Sequence, residues 1–591
     1  MVNAEKLITD NLPLWSSTIK AQKTRGRGRS NKRELYGVKK LRELILELAV
    51  RGLLIPQDPK DEPAAELLKN IATEKALLIK EKVIKKPKVL NDLSSEETPF
   101  SAPTGWVWTR LQNVSEYIQR GKGPKYAESG SVYVISQKCI QWTGFDSSVA
   151  RHVDDQSLDK YQPERFLRAN DLLWNSTGTG TVGRVSRLSS IESSKYVADS
   201  HVTVVRTRAL ESSFICCYIS SSGIQSRVNP SHENPLVSGS TNQVELNTSS
   251  VSSLPIPLPP LAEQHRIVAK VDELMALCDK LEQQQEDSID THQTLVKSLL
   301  DALTTTADPA HFQQAWQRIE ANFHLLFTTE SSVDHLKQTI LQLAVMGKLV
   351  PQDPNDEPAS QLIERAHVSK NELAEERKIR RDKEEYTPKS FLDTPKGWEW
   401  TCVGQFSHVQ GGKRVPRGYG LLDTPTEHVY IRVTDMKNGT VLVDNLKYIE
   451  ADIFEQISKY TINSEDVYVT IAGTIGETGC IPQSLDGMNL TENAAKLVFR
   501  DISQQFLINV LSSKYIQHQL KEAVNQMAQP KLSLASIKHT SIVIPPLAEQ
   551  HRIVAKVDSL MTLCDTLKAK LHSAQTTQQT LTDTIVEKAV V

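Results

Sequence analysis

Two glycine-rich runs carry the spacing most suggestive of chemistry. In "DLLWNSTGTGTVGRV" (171–185), Gly178, Gly180 and Gly183 satisfy G-x-G-x-x-G. Asp199 follows about 20 residues on, as in a dinucleotide-binding turn. The run is one step from a P-loop, but Arg184-Val185 stand where Lys-Ser/Thr would hold a phosphate and its metal. The following "SRLSSIESSKY" has no apolar helical face and so offers no helix N-terminus to an anion. The second run, "DVYVTIAGTIGETGCI" (466–481), keeps only GTIG from Gly473 to Gly476. A tight turn between strands satisfies both copies, and nucleotide binding is rejected. Other catalytic patterns are missing from the sequence. There is no [DNS]-P-P-[YFW] adenine methyltransferase motif, since Asn229-Pro230-Ser231 falls short of it, and no GxxxxGK[ST]. The seven cysteines (139, 216, 217, 278, 402, 480, 564) are odd in number, scattered and without a CxxC pair. Neither zinc nor a dithiol is expected, and a reducing cytoplasm fits this usage.

Binding residues are more legible than catalytic ones. With 69 Lys and Arg against 71 Asp and Glu, the net charge of −2 gives no bulk signal for nucleic acid. Local clusters do give one. "RGKGPKY" supplies Arg120, Lys122, Lys125 and Tyr126; "GGKRVPRGY" supplies Lys413, Arg414, Arg417 and Tyr419. Both are glycine-containing loops that end in Tyr. Such a loop approaches a phosphate backbone closely, and Arg reaches guanine edges with two bonds. A solvated surface loop has the same composition. The segment "KAQKTRGRGRSNKR" (20–33) has seven basic residues and no acid, and reads as a linker or a phosphate-contacting arm.

The elements around these loops are written twice. "PPLAEQHRIVAKVDELMALCDKL" (259–281) returns at 545–567, differing only at Glu273/Ser559, Ala276/Thr562 and Lys280/Thr566. "LRELILELAVRGLLIPQDPKDEPAAELL" (41–68) returns as "LKQTILQLAVMGKLVPQDPNDEPASQLI" (336–363), with 17 of 28 positions identical. "PTGWVWT" (103–109) returns as "PKGWEWT" (395–401). The 41–52 block has helical apolar spacing and ends at Gly52. In the PPLAEQ segments, Ile267, Val271, Leu274, Cys278 and Leu281 fall on 4-3-4-3 spacing. Ile553, Val557, Leu560, Cys564 and Leu567 do the same. This is a coiled-coil seam, with a register that reaches Leu295 and Leu299 in one copy, and Leu571, Leu581 and Ile585 in the other. Gln285, Ser288 and His292 make the middle of the first seam polar. Matching seams in one chain are expected to pack on each other, on helices of about 40 residues and roughly 60 Å.

Length alone calls for about three to five domains or segments. The expected organisation is a helical region with a basic linker (1–102), a variable domain (103–258), a central region with a long helix and the helical repeat (259–394), a second variable domain (395–544) and a distal long helix (545–591). The variable domains mix strands such as "VYVISQKCI" and "HVYIRVTDM" with one helical stretch each, so the expected class is mixed α/β (α+β) with an internal pseudo-twofold repeat. No apolar run reaches the roughly 18 residues of a membrane span, and the N-terminus has no signal-peptide pattern.

This arrangement resembles the specificity subunits of type I restriction–modification systems. The doubled "PPLAEQHRIVAKVD", the GTxG turn and the Trp-x-Trp entry carry the resemblance. The doubled "LAV.G.L.PQDP.DEPA" and the N-terminal extension are most like the type IB branch. The resemblance implies that each variable region reads half of a split, asymmetric site in double-stranded DNA, and that the long helices form an antiparallel spacer. It implies partners: two modification subunits, which use S-adenosylmethionine to methylate adenine at N6, and two restriction subunits, which use ATP and Mg2+. The chain itself would bind no cofactor or metal and do no chemistry. By the same resemblance, the segment after one strand in each domain contacts DNA: Ser136, Gln137 and Lys138 in the first, Arg432, Val433 and Thr434 in the second. Gln243 and Gln529, before each PPLAEQ, are further contacts or brace the loops.

Overall fold

The computed structural model describes residues 4–21, 33–178, 180–192, 194–240, 243–306, 308–380, 384–390, 393–525 and 531–590. The chain divides into two compact units. One is Met1–Ser288 together with Ala574–Val591; the other is Ile289–Ser573. The long helices Leu261–Thr305 and Leu547–Val590 each contribute residues to both.

The repeated helical block folds alike in each unit because its signals are the same. Helix Tyr36–Val50 buries Leu41, Leu44, Ile45 and Leu48. It ends in a Schellman turn: Leu53 N–H donates to the Leu48 carbonyl at 2.9 Å, and Gly52 stands at φ +70°. Helix Glu330–Val345 ends the same way, with Lys348 N–H on the Leu343 carbonyl at 3.0 Å and Gly347 at φ +66°. The glycines are needed for a second reason. A methyl on Gly52 would lie 2.8 Å from Pro103 Cγ, and one on Gly347 would lie 2.4 Å from Pro395 Cγ. The entry segment of each variable domain sits directly on its helix end.

In the first unit, helix Tyr36–Val50 lies between parts of both long helices. Arg42 bonds Glu282 of the first long helix at 2.9 Å and pairs with Asp279, and Asp61 just beyond the repeat helix pairs with Arg266. Tyr36 donates to Asp583 at 2.6 Å, and Arg51 donates to the Val590 carbonyl at 2.8 Å. The first long helix therefore runs antiparallel to the repeat helix, and the tail of the second runs parallel to it. In the second unit the roles exchange. Lys568 bonds Asp334 at 2.9 Å and Arg552 bonds Asp356 at 2.6 Å, so the second long helix is antiparallel to Glu330–Val345. His292 lies 3.1 Å from the Leu325 carbonyl, and Lys348 donates to the Thr306 carbonyl at 2.5 Å, so the tail of the first is parallel to it. Long helices of opposite direction thus flank each repeat helix.

The seam residues Ile267, Val271, Leu274, Cys278, Ile553, Val557 and Cys564 are buried; Leu281, Leu560 and Leu567 are half-buried. The repeat helix is a third member that sequence did not place: Ile553, Val557 and Cys564 share one core with Leu336, Ile340 and Leu343. The register also departs from expectation beyond the polar middle. Leu295 and Leu581 are each 50% exposed, and Val296, Leu300 and Leu303 are buried instead. A straight helix drifts about 20° per heptad against a 3.5-residue repeat, and without a continuous apolar seam nothing holds the supercoil.

Each variable domain stacks two four-stranded sheets. In the first, the antiparallel sheet has the order Val185–Arg187, Leu172–Asn175, Val202–Thr207, Ser115–Arg120. The mixed sheet has the order Tyr196–Ala198, Tyr133–Ile135, Arg151–Val153, Tyr126–Ala127, with Tyr196–Ala198 parallel to Tyr133–Ile135. In the second, His408–Gly411, Ala494–Val498, Val467–Thr470 and Thr478–Gly479 form the antiparallel sheet. Met488–Leu490 runs parallel to His428–Ile431 in the mixed one. Val202, Val204 and Leu173 pack against Ile135 and Ala198 of the facing sheet. Strand Val202–Thr207 is buried at five successive residues, among them Thr203 and Arg206, the latter bonded to Asp171 at 2.7 Å. Both domains close on a strand pair, Val107–Arg110 with Pro255–Leu258 and Glu399–Cys402 with Ser541–Ile544. Entry and exit are thereby brought together at the foot of the long helix.

Candidate nucleic-acid interface

The backbone registers the two basic loops onto equivalent turns. Gly121 N–H bonds the Val202 carbonyl and Lys122 N–H bonds the Ala198 carbonyl, at 2.8 and 3.0 Å. Gly412 and Lys413 bond Ala494 and Leu490 in the same way, at 3.0 and 2.9 Å. A methyl on Gly121 or Gly412 would fall 2.1 or 2.2 Å from a carbonyl oxygen, so only glycine allows this contact. Lys122 and Lys413 are the same position. Each ammonium lies 5.5 Å from a tyrosine ring, Tyr161 and Tyr460 respectively. These tyrosines escaped sequence reading although a short signal was present: Leu158, Lys160 and Tyr161 match Ile457, Lys459 and Tyr460 in a segment apart from the basic loops.

The glycine turns are equivalent as well. Gly183 and Gly476 both have positive φ. Gln225 donates to the Gly183 carbonyl at 3.0 Å, and Gln517 donates to the Gly476 carbonyl at 2.6 Å. The turn is a braced strand connection. Gln137 belongs to this brace: it donates to Thr177 at 3.0 Å and accepts from Thr181 at 3.2 Å.

The remaining named residues divide by what already holds them. Arg120 pairs with Glu245. Lys122 also donates to the Lys160 carbonyl at 2.9 Å. Lys125, exposed, pairs with Asp154 at 2.7 Å. Tyr126 donates to Asp199 at 3.0 Å beneath Arg151, and burial together with that carboxylate pushes its hydroxyl up to about 12. Ser136 is half-buried, 3.9 Å from Cys139 Sγ. Arg414 bonds Glu492 at 2.7 Å. Arg432 is tied to Asp435 by two bonds of 3.0 and 2.6 Å and to the Asn445 carbonyl at 2.7 Å, so it shapes its own turn. Thr434 is exposed beside it, 3.3 Å from Asp435. Lys138, Arg417 and Tyr419 are exposed, and the two cations have no ion pair among the described residues. Gln243 lies in strand Gln243–Leu246. Gln529 lies outside the described residues, as does most of the 20–33 segment, whose ends pair as Lys20–Ala21 with Arg33–Glu34. In the second domain, Lys413, Arg414 and Lys531 line an open depression of about 590 Å3; Arg414, Arg432 and Thr434 line an adjoining one of about 390 Å3.

The repeated residues build the frame beneath. Trp106 Nε1 donates to Glu263 and Trp398 Nε1 to Glu549, each at 3.0 Å in buried surroundings. Burial pushes both carboxyls above the usual range. The next residues, Gln264 and Gln550, each accept a backbone N–H from the start of a variable-domain helix, Glu211 at 3.0 Å and Ser503 at 2.9 Å. The "EQ" of PPLAEQ thus joins reader to helix. Its signal was present in the sequence as two polar residues kept in both copies.

A two-sheet reader carried twice on one duplicated helical frame defines a bipartite recognition protein. The family model described as the type I restriction modification DNA specificity domain matches residues 103–291 and 395–574. The specificity subunit of the type I restriction enzyme EcoAI of Escherichia coli is 35% identical over 605 residues, covering 100% of both chains. That of EcoEI, also from Escherichia coli, is 34% identical over 608 residues, covering 99% of each. The chain belongs to the type I restriction–modification specificity subunits, in the type IB branch. The family is one of DNA specificity and not of a catalytic subunit. Among solved structures, a chain of a type I R-M system aligns with TM-score 0.49 at 18% identity, covering 83% of this chain and 99% of its own. The HsdS subunit from Thermoanaerobacter tengcongensis aligns with TM-score 0.40 at 18% identity, covering 84% and 98%. Among the described residues, no helix is long and apolar enough to cross a membrane, and no His, Cys, Asp and Glu group is placed to hold a metal.

Proposed function

We propose that each variable domain reads one half of a split, asymmetric site in double-stranded DNA, through the Gly-Lys loop and the turns beside it. Lys122 and Lys413 are phosphate contacts in this reading, and Arg414, Arg417, Lys138 and Thr434 reach toward base edges. The observation that carries the reading is the coincidence of two unlike sequences on one backbone register: Gly121-Lys122 and Gly412-Lys413 hold the same bonds while the residues around them differ. A shared contact to the invariant backbone with differing contacts to bases requires that combination. The long helices set the distance between half-sites. The repeated elements dock two modification subunits, and two restriction subunits complete the nuclease. S-adenosylmethionine, ATP and Mg2+ belong to those partners, and the complex works in the cytoplasm.

The test is co-expression with the modification subunits, followed by long-read mapping of N6-methyladenine. One bipartite motif is expected. Exchanging residues 110–250 for those of a relative should change one half-site and leave the other. A swap that assembles yet changes both halves would contradict independent readers.

A further inference from the structure

At each reading loop an arginine pairs with a carboxylate carried by a neighbouring element. Arg414, with a side chain 77% exposed, donates to Glu492, whose side chain is 23% exposed. Glu492 is not a mobile partner. Its other oxygen lies 3.2 Å from the Tyr430 hydroxyl and 3.1 Å from the Thr491 hydroxyl. Tyr430 is in turn anchored to the Lys413 carbonyl at 2.9 Å. Glu492 lines both adjoining depressions of this domain. In the first domain Arg120 pairs with Glu245 of strand Gln243–Leu246, while its Nε and Nη2 are buried with no hydrogen-bond partner. The two arginines are not the same backbone position, since Arg120 precedes the glycine and Arg414 follows the lysine. The two domains therefore reach the same juxtaposition from different residues.

A carboxylate and a DNA phosphate compete for one guanidinium. Any duplex offers phosphates, so an arginine free on this loop would strengthen binding to every sequence alike. An arginine held by a fixed acid joins the interface only when the site supplies contacts that outweigh the pair, and it penalises wrong partners more than right ones. We propose that Glu245 and Glu492 are specificity-determining residues that withhold Arg120 and Arg414 from the phosphate backbone on non-cognate DNA. This rests on the reading of the variable domains as DNA readers.

The experiment uses the full chain assembled with its modification subunits, titrated with salt on a random-sequence duplex and on a duplex carrying the mapped site. For Glu492→Gln and Glu245→Gln, the salt slope on random DNA should steepen by about 0.9, the value for one more phosphate neutralised. At 0.1 M salt that is about an eight-fold gain in non-specific affinity, with a smaller gain on the site. Glu399→Gln, the same charge change at an exposed position away from the loops, should leave the slope unchanged. Arg414→Gln, on an exposed loop, should weaken site binding and leave random-DNA binding as it was; this arm stands even where a glutamate variant folds poorly. An unchanged slope in both glutamate variants overturns the proposal. So does a ten-fold loss on the site alone, which would make the carboxylate a direct acceptor from cytosine, or an Arg414→Gln variant that loses random-DNA affinity. A wild-type complex without salt-dependent, site-preferring binding would defeat the DNA-reader assignment itself, a different outcome from any of these.

Discussion

Replacing Trp398 by Phe should loosen the joint between the second variable domain and its long helix. Trp398 is 5% exposed and Glu549 1% exposed, and the indole N–H donates to Glu549 Oε2 at 3.0 Å. The other oxygen keeps Gln352 at 3.2 Å. Phe fills most of the indole site but has no donor. Removing a hydrogen bond to a buried charged group costs about 1.5–3 kcal/mol, and a residual void on the order of 30 Å3 adds roughly 0.7 kcal/mol. The expected loss is about 2–4 kcal/mol at pH 7. Burial already holds the Glu549 carboxyl above its usual range. A carboxyl whose folded pKa exceeds its unfolded value favours the fold below the unfolded pKa, and that contribution fades as pH rises through the folded one. A neutral carboxyl also needs the indole donor less, so the penalty of Trp398→Phe should shrink on acidification. In a Trp398→Phe/Glu549→Gln cycle, a coupling of about 1.5–3 kcal/mol is expected at pH 7. Two compact units make a single unfolding free energy ill-defined. The measurement is therefore amide exchange at strand pair Glu399–Cys402 and Ser541–Ile544, across pH. A shift under about 0.5 kcal/mol, a coupling near zero, or a penalty that grows at low pH would refute the reasoning.

Lys413→Ala, in the complex with modification subunits, should weaken binding to all sequences and make the salt slope shallower by about one; Lys122→Ala should match it. An unaltered slope in both removes these lysines from the backbone interface. Deleting residues 574–590 should unprotect helix Tyr36–Val50, although Tyr36 and its partner Asp583 are 547 positions apart. Also lost are the bond from Gln579 to the Ile19 carbonyl at 2.9 Å and that from Arg51 to the Val590 carbonyl at 2.8 Å. Exchange in Glu330–Val345 should stay as it is, and native protection in Tyr36–Val50 after the deletion would count against the role given to this tail.

The sequence by itself determined the architecture of this protein because the architecture is repetitive. Two near-copies of PPLAEQHRIVAKVD can only be two copies of one structural part. The glycines at 52 and 347, the apolar positions 41, 44, 45 and 48, and the Trp-x-Trp entries are local signals with local causes: a left-handed turn, a helical period, a strand start. The equal placement of RGKGPKY and GGKRVPRGY was legible for the same reason. Tertiary structure alone decided what touches what. A seam written as 4-3-4-3 specifies an apolar stripe and not its partner, so the repeat helix between the two long helices went unseen. The register expected at Leu295 and Leu581 failed where polar residues interrupt the stripe and a straight helix turns away from it. Tyr161 and Tyr460 reach their lysines from a separate segment, and although Leu158, Lys160 and Tyr161 match Ile457, Lys459 and Tyr460, nothing in that short string says which loop it meets. Glu245 and Glu492 meet their arginines across strands, 125 and 78 positions along the chain. Such pairings depend on sheet register and on which turn a strand ends in, and these are set by the whole domain's packing rather than by any residue's neighbours in sequence.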